Sequence, residues 1–215
     1  FHTVRGAHPD AVAVDVLGDV LTLAPAGRLY KALVETKKAT AVQSWNVAGV
    51  DPGTLTLFAQ IPDGEEIGPA REAMLATIAD LAQNPVTEAE VARVRQKAAK
   101  HFDDTMANPQ AFGVAISEAI ALGDWRLFFL ERDRYRSVKP ADVQRVAQDY
   151  LKRSNLTIGE FVPDPKPDRA PAATAVDVAA LVKDYKGDAA VATGEAFDPT
   201  PANLDARAQR FTLPN

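Results

Sequence analysis

The stretch Gly27-Arg28-Leu29-Tyr30-Lys31-Ala32-Leu33-Val34-Glu35 connects the two parts of the chain whose patterns decide the fold. Leu29 and Leu33 are four residues apart, so they share one helical face, and the pattern predicts a short helix over 28–37. Pro25-Ala26-Gly27 breaks the chain just ahead of it. A first helix must therefore end before this stretch.

That first helix is predicted over His8 to Leu23. Pro9 suits its first turn, and Asp10 favours the positive end of its dipole. Apolar residues then recur at helical spacing, namely Val12, Ala13, Val16, Leu17, Val20 and Leu21. Further upstream, Phe1 to Val4 fits a strand. Because the chain starts inside this strand, we expect it to be a piece of a longer polypeptide.

Two strands are predicted after the stretch, over 41–50 and 54–61, on either side of the turn Asp51-Pro52-Gly53. Every second residue from Leu55 to Ile61 is apolar, so these side chains share one face. The pattern indicates an antiparallel hairpin with one buried face.

Helices are predicted for most of the chain from Ile67 to Leu151. Thr87 and Glu90 form a capping box for one of them, and Asn108-Pro109 separates two others. Asn155 to Val162 is predicted as a closing strand. The order of elements predicts an α+β fold, in which helices cover one face of an antiparallel sheet.

The chain changes character after Val162. Pro163, Pro165, Pro167 and Pro171 punctuate an extended segment, and a short helix fits 176–185. We therefore predict one α+β domain over 1–162 and a Pro-rich linker over 163–215 that packs on the domain surface.

Composition narrows the classes of function. The chain has 215 residues and a net charge of −5, which argues against nucleic-acid binding because phosphate contacts need clustered Lys and Arg. It has no cysteine, so disulfides and thiolate zinc sites are excluded. No apolar run approaches the length of a membrane span.

A hydrolytic zinc site needs two histidines on one helical turn, a third ligand and a carboxylate base. The histidines are His2, His8 and His101, and none has a second histidine four residues away. A site made from His2 and His8 is the weaker alternative to a strand-surface His2 and a capping His8. The sequence also has no nucleophile elbow and no nucleotide-binding glycine spacing. We therefore predict no catalytic, cofactor-binding or metal-binding residue.

Paired carboxylates and a basic cluster each have a structural interpretation as well as a functional one. Asp103-Asp104 and Glu65-Glu66 are adjacent carboxylates, and adjacent helical residues point apart, so a solvated face is favoured over acid-base chemistry. Basic residues cluster between 126 and 139, interleaved with acids: Arg126, Arg132, Arg134, Arg136 and Lys139. This cluster is predicted to be a salt-bridged face, with an interdomain contact as the alternative.

Four segments resemble the pitrilysin/insulinase family of zinc metallopeptidases. They are 27–35, the helix start 85–91, the aromatic segment 123–134, and the helix 138–147. Non-catalytic lobes of that family often read R-L-x-x-x-L-R-E at the first segment, with a Tyr seven residues after the second Arg. This chain has Val34 in place of that Arg and Ala41 in place of that Tyr. It therefore resembles a member without the substrate-gripping pair.

The resemblance implies the second, non-catalytic domain of the first half of a two-half peptidase. Zinc is then expected in a separate catalytic domain, and the partners are that domain, the second half of the same polypeptide and a peptide substrate. A bacterial, periplasmic or otherwise extracytoplasmic location is also implied. The alternatives are a scaffold module with no protease activity and an unrelated enzyme that uses residues distant in sequence.

Overall fold

The computed structural model describes residues 1–188, 194, 196–209 and 211, and the chain divides into two compact units, 1–162 and 163–215. In the described part of the first unit, a two-stranded antiparallel sheet lies against helices. The predicted α+β class, an antiparallel sheet covered on one face by helices, is confirmed.

Helix α1, Ala11–Thr22, forms the centre of the core. Val14, Val16 and Leu21 are fully buried, and most other positions of the helix are buried as well. A helix that is apolar on almost every side is stable only when it is covered on every side. β1, Ala41–Val47, packs against α1, and so does α6, Pro140–Tyr150.

α1 begins three residues later than the sequence predicts. The backbone N–H of Ala11 donates to the carbonyl of His8 at 3.1 Å, so the residues before the helix form a turn. The Asp10 carboxylate does not cap the helix and instead accepts hydrogen bonds from Arg145 (2.5 Å) and Tyr150 (3.0 Å) on α6. Asp10 therefore connects the start of α1 to its neighbour in the core.

The stretch predicted as a helix over 28–37 contains a π-helical turn, Tyr30–Val34. The N–H of Glu35 donates to the carbonyl five residues back, on Tyr30, at 3.2 Å. Leu29 and Leu33 are both fully buried, so the predicted apolar face is correct although the helix type is not.

β1 pairs in antiparallel register with β2, Thr54–Gln60, so that Val47 faces Thr54 and Ala41 faces Gln60. β1 is shorter than predicted because residues 48–53 form the connection, and β2 ends at Gln60, one residue earlier than predicted. Leu55 is fully buried, and the next apolar residues on its face pack against the core. The predicted hairpin and its buried face are confirmed.

Phe1 to Val4 pairs with the start of β2 on the edge opposite β1. Thr3 donates to the Gly53 carbonyl at 2.8 Å, and Gly53 donates back to Val4 at 3.2 Å. The predicted strand is therefore present as a short bridged segment, with one isolated bridge between His2 and Thr54. Gly53 is needed at this point, because a Cβ atom there would lie 1.8 Å from a backbone oxygen of Val47.

The predicted closing strand, Asn155 to Val162, is wrong. Arg153–Asn155 is a 3-10 turn, and residues 156–162 form no strand. A strand requires a neighbour to complete its ladder of hydrogen bonds. Within the described residues, the backbone from 157 to 162 meets no such neighbour, and Phe161 is 88% exposed.

The remaining helices of this unit are α2 (Ile67–Asp80), α3 (Glu88–Ala107), α4 (Pro109–Ala121) and α5 (Leu127–Ser137). The capping box of α3 is confirmed, since Thr87 N–H donates to Glu90 at 2.8 Å and Glu90 N–H donates to the Thr87 hydroxyl at 3.3 Å. Asn108 caps α4 through its side-chain oxygen. Short-range chemistry therefore fixes the helix starts.

The second unit contains α7, Val178–Val182, and α8, Pro201–Arg207. α7 lies inside the predicted 176–185 helix, whereas α8 was not predicted. The Arg207 guanidinium lies 5.8 Å from the centre of the Phe197 ring. That residues 163–215 act as a linker stays a prediction.

Candidate functional site

The three histidines lie at exposed positions in separate elements. His2 is in the first bridged segment, and His101 is on α3. The His8 ring accepts a hydrogen bond from the backbone of Asp10 at 3.0 Å, so it closes the turn before α1. Among the described residues, no group of three or more His, Cys, Asp or Glu side chains could hold a metal ion. This is compatible with a domain that carries no cofactor.

Arg28 makes the most extensive polar contact between separate elements. Its guanidinium donates to both carboxylate oxygens of Glu90, at 2.7 and 2.9 Å, and to the backbone oxygens of Asn84 (2.5 Å) and Pro85 (2.9 Å). The planar guanidinium group presents parallel N–H donors that match the two oxygens of a carboxylate. Arg28 therefore joins the stretch before the π-helical turn to the start of α3.

The pKa of Glu90 shows that the contact with Arg28 stabilises the ionised carboxylate. Burial alone would raise the pKa of Glu90, but hydrogen bonds from Arg28 and Thr87 outweigh burial and hold that pKa at about 2. Only 16% of the Arg28 side chain and 13% of the Glu90 side chain are exposed. Neither side chain lines the cavity among α1, α3, α4 and α5, and the pair acts as a structural contact.

The basic cluster on α5 is a salt-bridged face, as predicted. Arg126 binds Asp124 at 2.5 Å, and Arg132 binds Asp133 at 2.8 Å while lying over the Phe102 ring. Arg134 donates to the backbone oxygens of residues 7 and 8. These cations have partners within the first unit, and the alternative of an interdomain contact stays a prediction.

A cavity of about 600 Å³ lies among α1, α3, α4 and α5. Phe102 and Phe128 contribute apolar wall, their ring centres 4.9 Å apart, and Asp15, Glu131 and Tyr135 contribute polar groups. Its volume falls within the range of small-molecule sites. Several titratable groups therefore lie in or beside a partly apolar cavity.

Asp15 is the most perturbed carboxyl group of the cavity. Burial raises its pKa to about 7, and hydrogen bonds from Asn46 (2.8 Å) and Tyr135 (3.4 Å) offset only part of that effect. Burial also raises the pKa of Glu131 and of the Tyr135 hydroxyl. Both oxygens of Asp15 are thus occupied by neutral donors that join α1 to β1 and α5.

Perturbed pKa values in a cavity mark candidate active sites, but ion-pair and hydrogen-bond networks inside a core produce them as well. Here the second account fits better, because each Asp15 oxygen accepts from a side chain of the protein. Asp15 is not among the site residues predicted from the sequence. The available signal was an acidic residue inside the apolar run from Ala11 to Leu17.

The outer face of the hairpin is the other candidate surface. Trp45 and Phe58 are each 46% exposed, with ring centres 5.7 Å apart, and Val47 is 67% exposed. These residues alternate with the buried positions of their strands. A large aromatic residue on a strand is expected to pack under the helices, but Trp45 lies on the outward face instead.

Comparison with known proteins gives the family. The model of the peptidase M16 inactive domain matches residues 1–98. A candidate zinc protease of Bordetella pertussis is 42% identical, with a TM-score of 0.70 over 76% of this chain and 91% of its own. The inactive peptidase domain of a candidate zinc protease of Bordetella parapertussis is 44% identical, with a TM-score of 0.72 over 80% of this chain and 92% of its own.

The chain belongs to the peptidase M16 inactive-domain family. The resemblance to pitrilysin and insulinase relatives is therefore confirmed. The same fold occurs in a Helicobacter pylori protease at 19% identity and a TM-score of 0.67, where the match covers 38% of that longer chain. None of the curated proteins matches the sequence significantly. No helix among the described residues is long and apolar enough to cross a membrane.

Within this M16 domain, the two positions that depart from the family pattern carry small aliphatic side chains. Val34 ends the π-helical turn and packs against the core, and Ala41 is the first residue of β1, opposite Gln60. Neither side chain has a polar group with which to hold a peptide. The hairpin nearby carries the exposed aromatic pair Trp45 and Phe58.

Proposed function

We propose that this M16 domain is the non-catalytic structural domain of a zinc-dependent metalloendopeptidase and forms part of the wall of its substrate chamber. One observation carries the proposal. The domain is 44% identical, over nearly the whole of its relative, to the inactive peptidase domain of a candidate zinc protease. In the proposed arrangement, the zinc and the water-activating carboxylate belong to a separate catalytic domain of the same polypeptide.

The packing of the first unit supports a buttressing role. Most of α1 is buried, and the Arg28–Glu90 pair ties two separate elements together, so the unit has a well-packed core that could support a neighbouring domain. The exposed face of the hairpin supplies the wall, because Trp45, Val47 and Phe58 give a peptide an apolar surface. Contact with apolar side chains is sequence-tolerant, as a general peptidase chamber requires.

The proposal also covers the tail and the location of the protein. Residues 163–215 are the linker that leads toward the second half, in keeping with their prolines and mostly exposed described residues. The parent protein acts in the bacterial periplasm or another extracytoplasmic space, which fits a chain without cysteine but does not depend on it.

The first experiment tests whether the domain is catalytically silent. The purified 215-residue chain is incubated with zinc chloride and a quenched fluorescent peptide library, with and without chelator. We expect no turnover above buffer. Turnover by the chain alone that the chelator abolishes would contradict the proposal.

The second experiment tests the chamber wall in the parent protein. Trp45→Ala and Phe58→Ala should lower kcat/KM for long peptides several-fold, because they remove apolar contact area from the wall, while the zinc content stays unchanged. Trp125→Ala is the matched control, since Trp125 is 51% exposed but lies on the helical side, next to α5. Equal activity of all three variants and the unmodified enzyme would refute the assignment of the wall. Absence of proteolysis by the parent would favour a scaffold.

A further inference from the structure

The cavity among α1, α3, α4 and α5 is built from helices of the first unit, and its lining residues lie between positions 15 and 136. A smaller cavity of about 420 Å³ lies between α3 and α4 and shares four lining residues with the first: His101, Thr105, Ala115 and Glu118. The two cavities therefore adjoin. A partly apolar cavity of this size, with a few converging polar groups, has the form of a site for a small organic molecule.

Aromatic and small aliphatic side chains form the apolar wall of the cavity. The rings of Phe102 and Phe128 stack with their centres 4.9 Å apart, and Ala115 and Ala119 on α4 add small side chains that leave space beside them. The Arg132 guanidinium already lies 5.2 Å from the centre of the Phe102 ring, so that ring has its own cation. The wall therefore suits the apolar, ring-shaped body of a ligand better than a second positive charge.

The lysine and arginine side chains that line the cavity already have acidic partners. Three of them form ion pairs at 2.7 or 2.8 Å: Arg95 with Glu88, Lys97 with Asp19, and Arg132 with Asp133. Arg136, the fourth, lies 4.0 Å from Asp133 on the same helix. These four cations are therefore paired with carboxylates other than those of Glu118 and Glu131.

The carboxylates of Glu118 and Glu131 both line the cavity without a partner. Among the described residues, neither accepts a hydrogen bond and neither forms an ion pair. Burial raises the pKa of Glu131, the charge of Arg134 offsets part of that rise, and the neighbouring Glu118 carboxylate adds to it. Two like charges beside a partly apolar space are stabilised by a cation placed near both of them.

The donor set favours an organic cation over a metal ion. Within the described part of the chain, no group of three or more His, Cys, Asp or Glu side chains could hold a metal. An ammonium group carries up to three N–H donors, so it can serve Glu118 and Glu131 together, and its carbon skeleton can lie against the phenylalanine rings.

We propose that this cavity binds a small organic cation in which an ammonium group is joined to an aromatic body. The ammonium group pairs with Glu118 and Glu131, and the aromatic body lies against Phe102 and Phe128. The proposal goes beyond the proposed function, because it concerns the helices of the domain and holds whether or not a catalytic domain accompanies them.

The test is a titration of the isotope-labelled 215-residue chain with 2-phenylethylamine, followed by nuclear magnetic resonance. We expect a Kd of about 1 mM or below. Saturable shifts should appear in the amide signals of four lining residues: Phe102, Glu118, Phe128 and Glu131. The controls are 2-phenylethanol, which has the ring without the cation, and ethylamine, which has the cation without the ring. Each should bind at least about tenfold more weakly, because each lacks one of the two sets of contacts.

Protein variants test the two parts of the site separately. Glu131→Gln removes the charge but keeps the size of the side chain, and it should weaken binding of 2-phenylethylamine about tenfold. Glu72→Gln is the matched control, because Glu72 is exposed on α2 and does not line the cavity. Ala115→Leu fills part of the cavity without a change of charge and should also weaken binding about tenfold. Urea unfolding of each variant shows whether it is folded.

The proposal would be overturned by the absence of saturable shifts at about 10 mM 2-phenylethylamine. Equal binding of the amine and 2-phenylethanol, or equal binding by Glu131→Gln and the unmodified chain, would also overturn it. The same shifts on addition of magnesium chloride would show that the carboxylates attract any cation, and this result would overturn the aromatic part of the proposal.

Discussion

Replacing Asp15 with asparagine is expected to stabilise the first unit at neutral and alkaline pH. The carboxyl group is largely buried, and its pKa is raised from 3.8 to about 7, chiefly by burial. Its hydrogen-bond partners are the neutral side chains Asn46 and Tyr135. An asparagine can accept from Asn46 with its oxygen and donate to the Tyr135 hydroxyl with its amide group, so it keeps the contacts without the charge.

The magnitude follows from linkage between protonation and folding. A folded-state pKa above the unfolded value means that the folded state holds the proton more tightly, so stability falls as pH rises between 3.8 and about 7. The rise in the pKa of Asp15 from 3.8 to about 7 lowers the free energy of unfolding by at most about 4 kcal/mol at pH 8. We expect Asp15→Asn to recover about 2–4 kcal/mol at pH 8 and close to nothing at pH 4, where the aspartic acid of the unmodified protein is already neutral.

The assay is urea unfolding followed by circular dichroism at pH 4, 6 and 8. Asp19→Asn is the matched control on the same helix, because Asp19 pairs with Lys97 at 2.8 Å and both side chains are partly exposed. The control should lose no more than about 1 kcal/mol. An Asp15→Asn variant that is no more stable at pH 8, or that gains equally at pH 4 and pH 8, would refute the reasoning.

Three further changes probe the packing, each measured by urea unfolding. Arg28→Ala should lower the free energy of unfolding by about 2–3 kcal/mol because Glu90 loses its charged partner. The pKa of Glu90 is held at about 2, against 4.5 when unperturbed, so this loss should be complete above about pH 5 and vanish toward pH 2. Gly53→Ala should cost about 2 kcal/mol or more, since its Cβ would lie 1.8 Å from a backbone oxygen of β1, whereas Gly49→Ala, with open space around it, should be close to neutral. Leu17→Ala, only 1% exposed on α1, should cost about 2–5 kcal/mol; a loss below 1 kcal/mol would contradict its place in the core.

Local chemistry made part of the fold predictable from sequence. The capping box of Thr87 and Glu90 is four residues long, and each of its contacts forms within that window, so the pattern determines the start of α3. The hairpin was equally predictable, because the alternation of apolar residues from Leu55 to Ile61 indicates which face is buried. Neither inference needs any knowledge of the distant chain.

Features that depend on distant partners were missed. Asn155 to Val162 has the composition of a strand, but a strand exists only where another backbone completes its ladder, and the described chain provides none. The outward position of Trp45 depends on strand register, which a large aromatic residue does not reveal by itself. Asp15 became a candidate only when folding placed its carboxyl group between β1 and α5.

The position of α1 in the chain has a consequence for synthesis on the ribosome. α1 ends at Thr22 but its partner α6 ends at Tyr150, so over 120 further residues must be translated before the helix can be fully enclosed. At a translation rate of about 5–20 residues per second, the nascent chain carries an incompletely covered apolar helix for roughly 6–25 s. During that interval the exposed helix can bind chaperones. The yield of folded protein in cells should therefore depend on chaperones more strongly than the stability of the folded protein suggests.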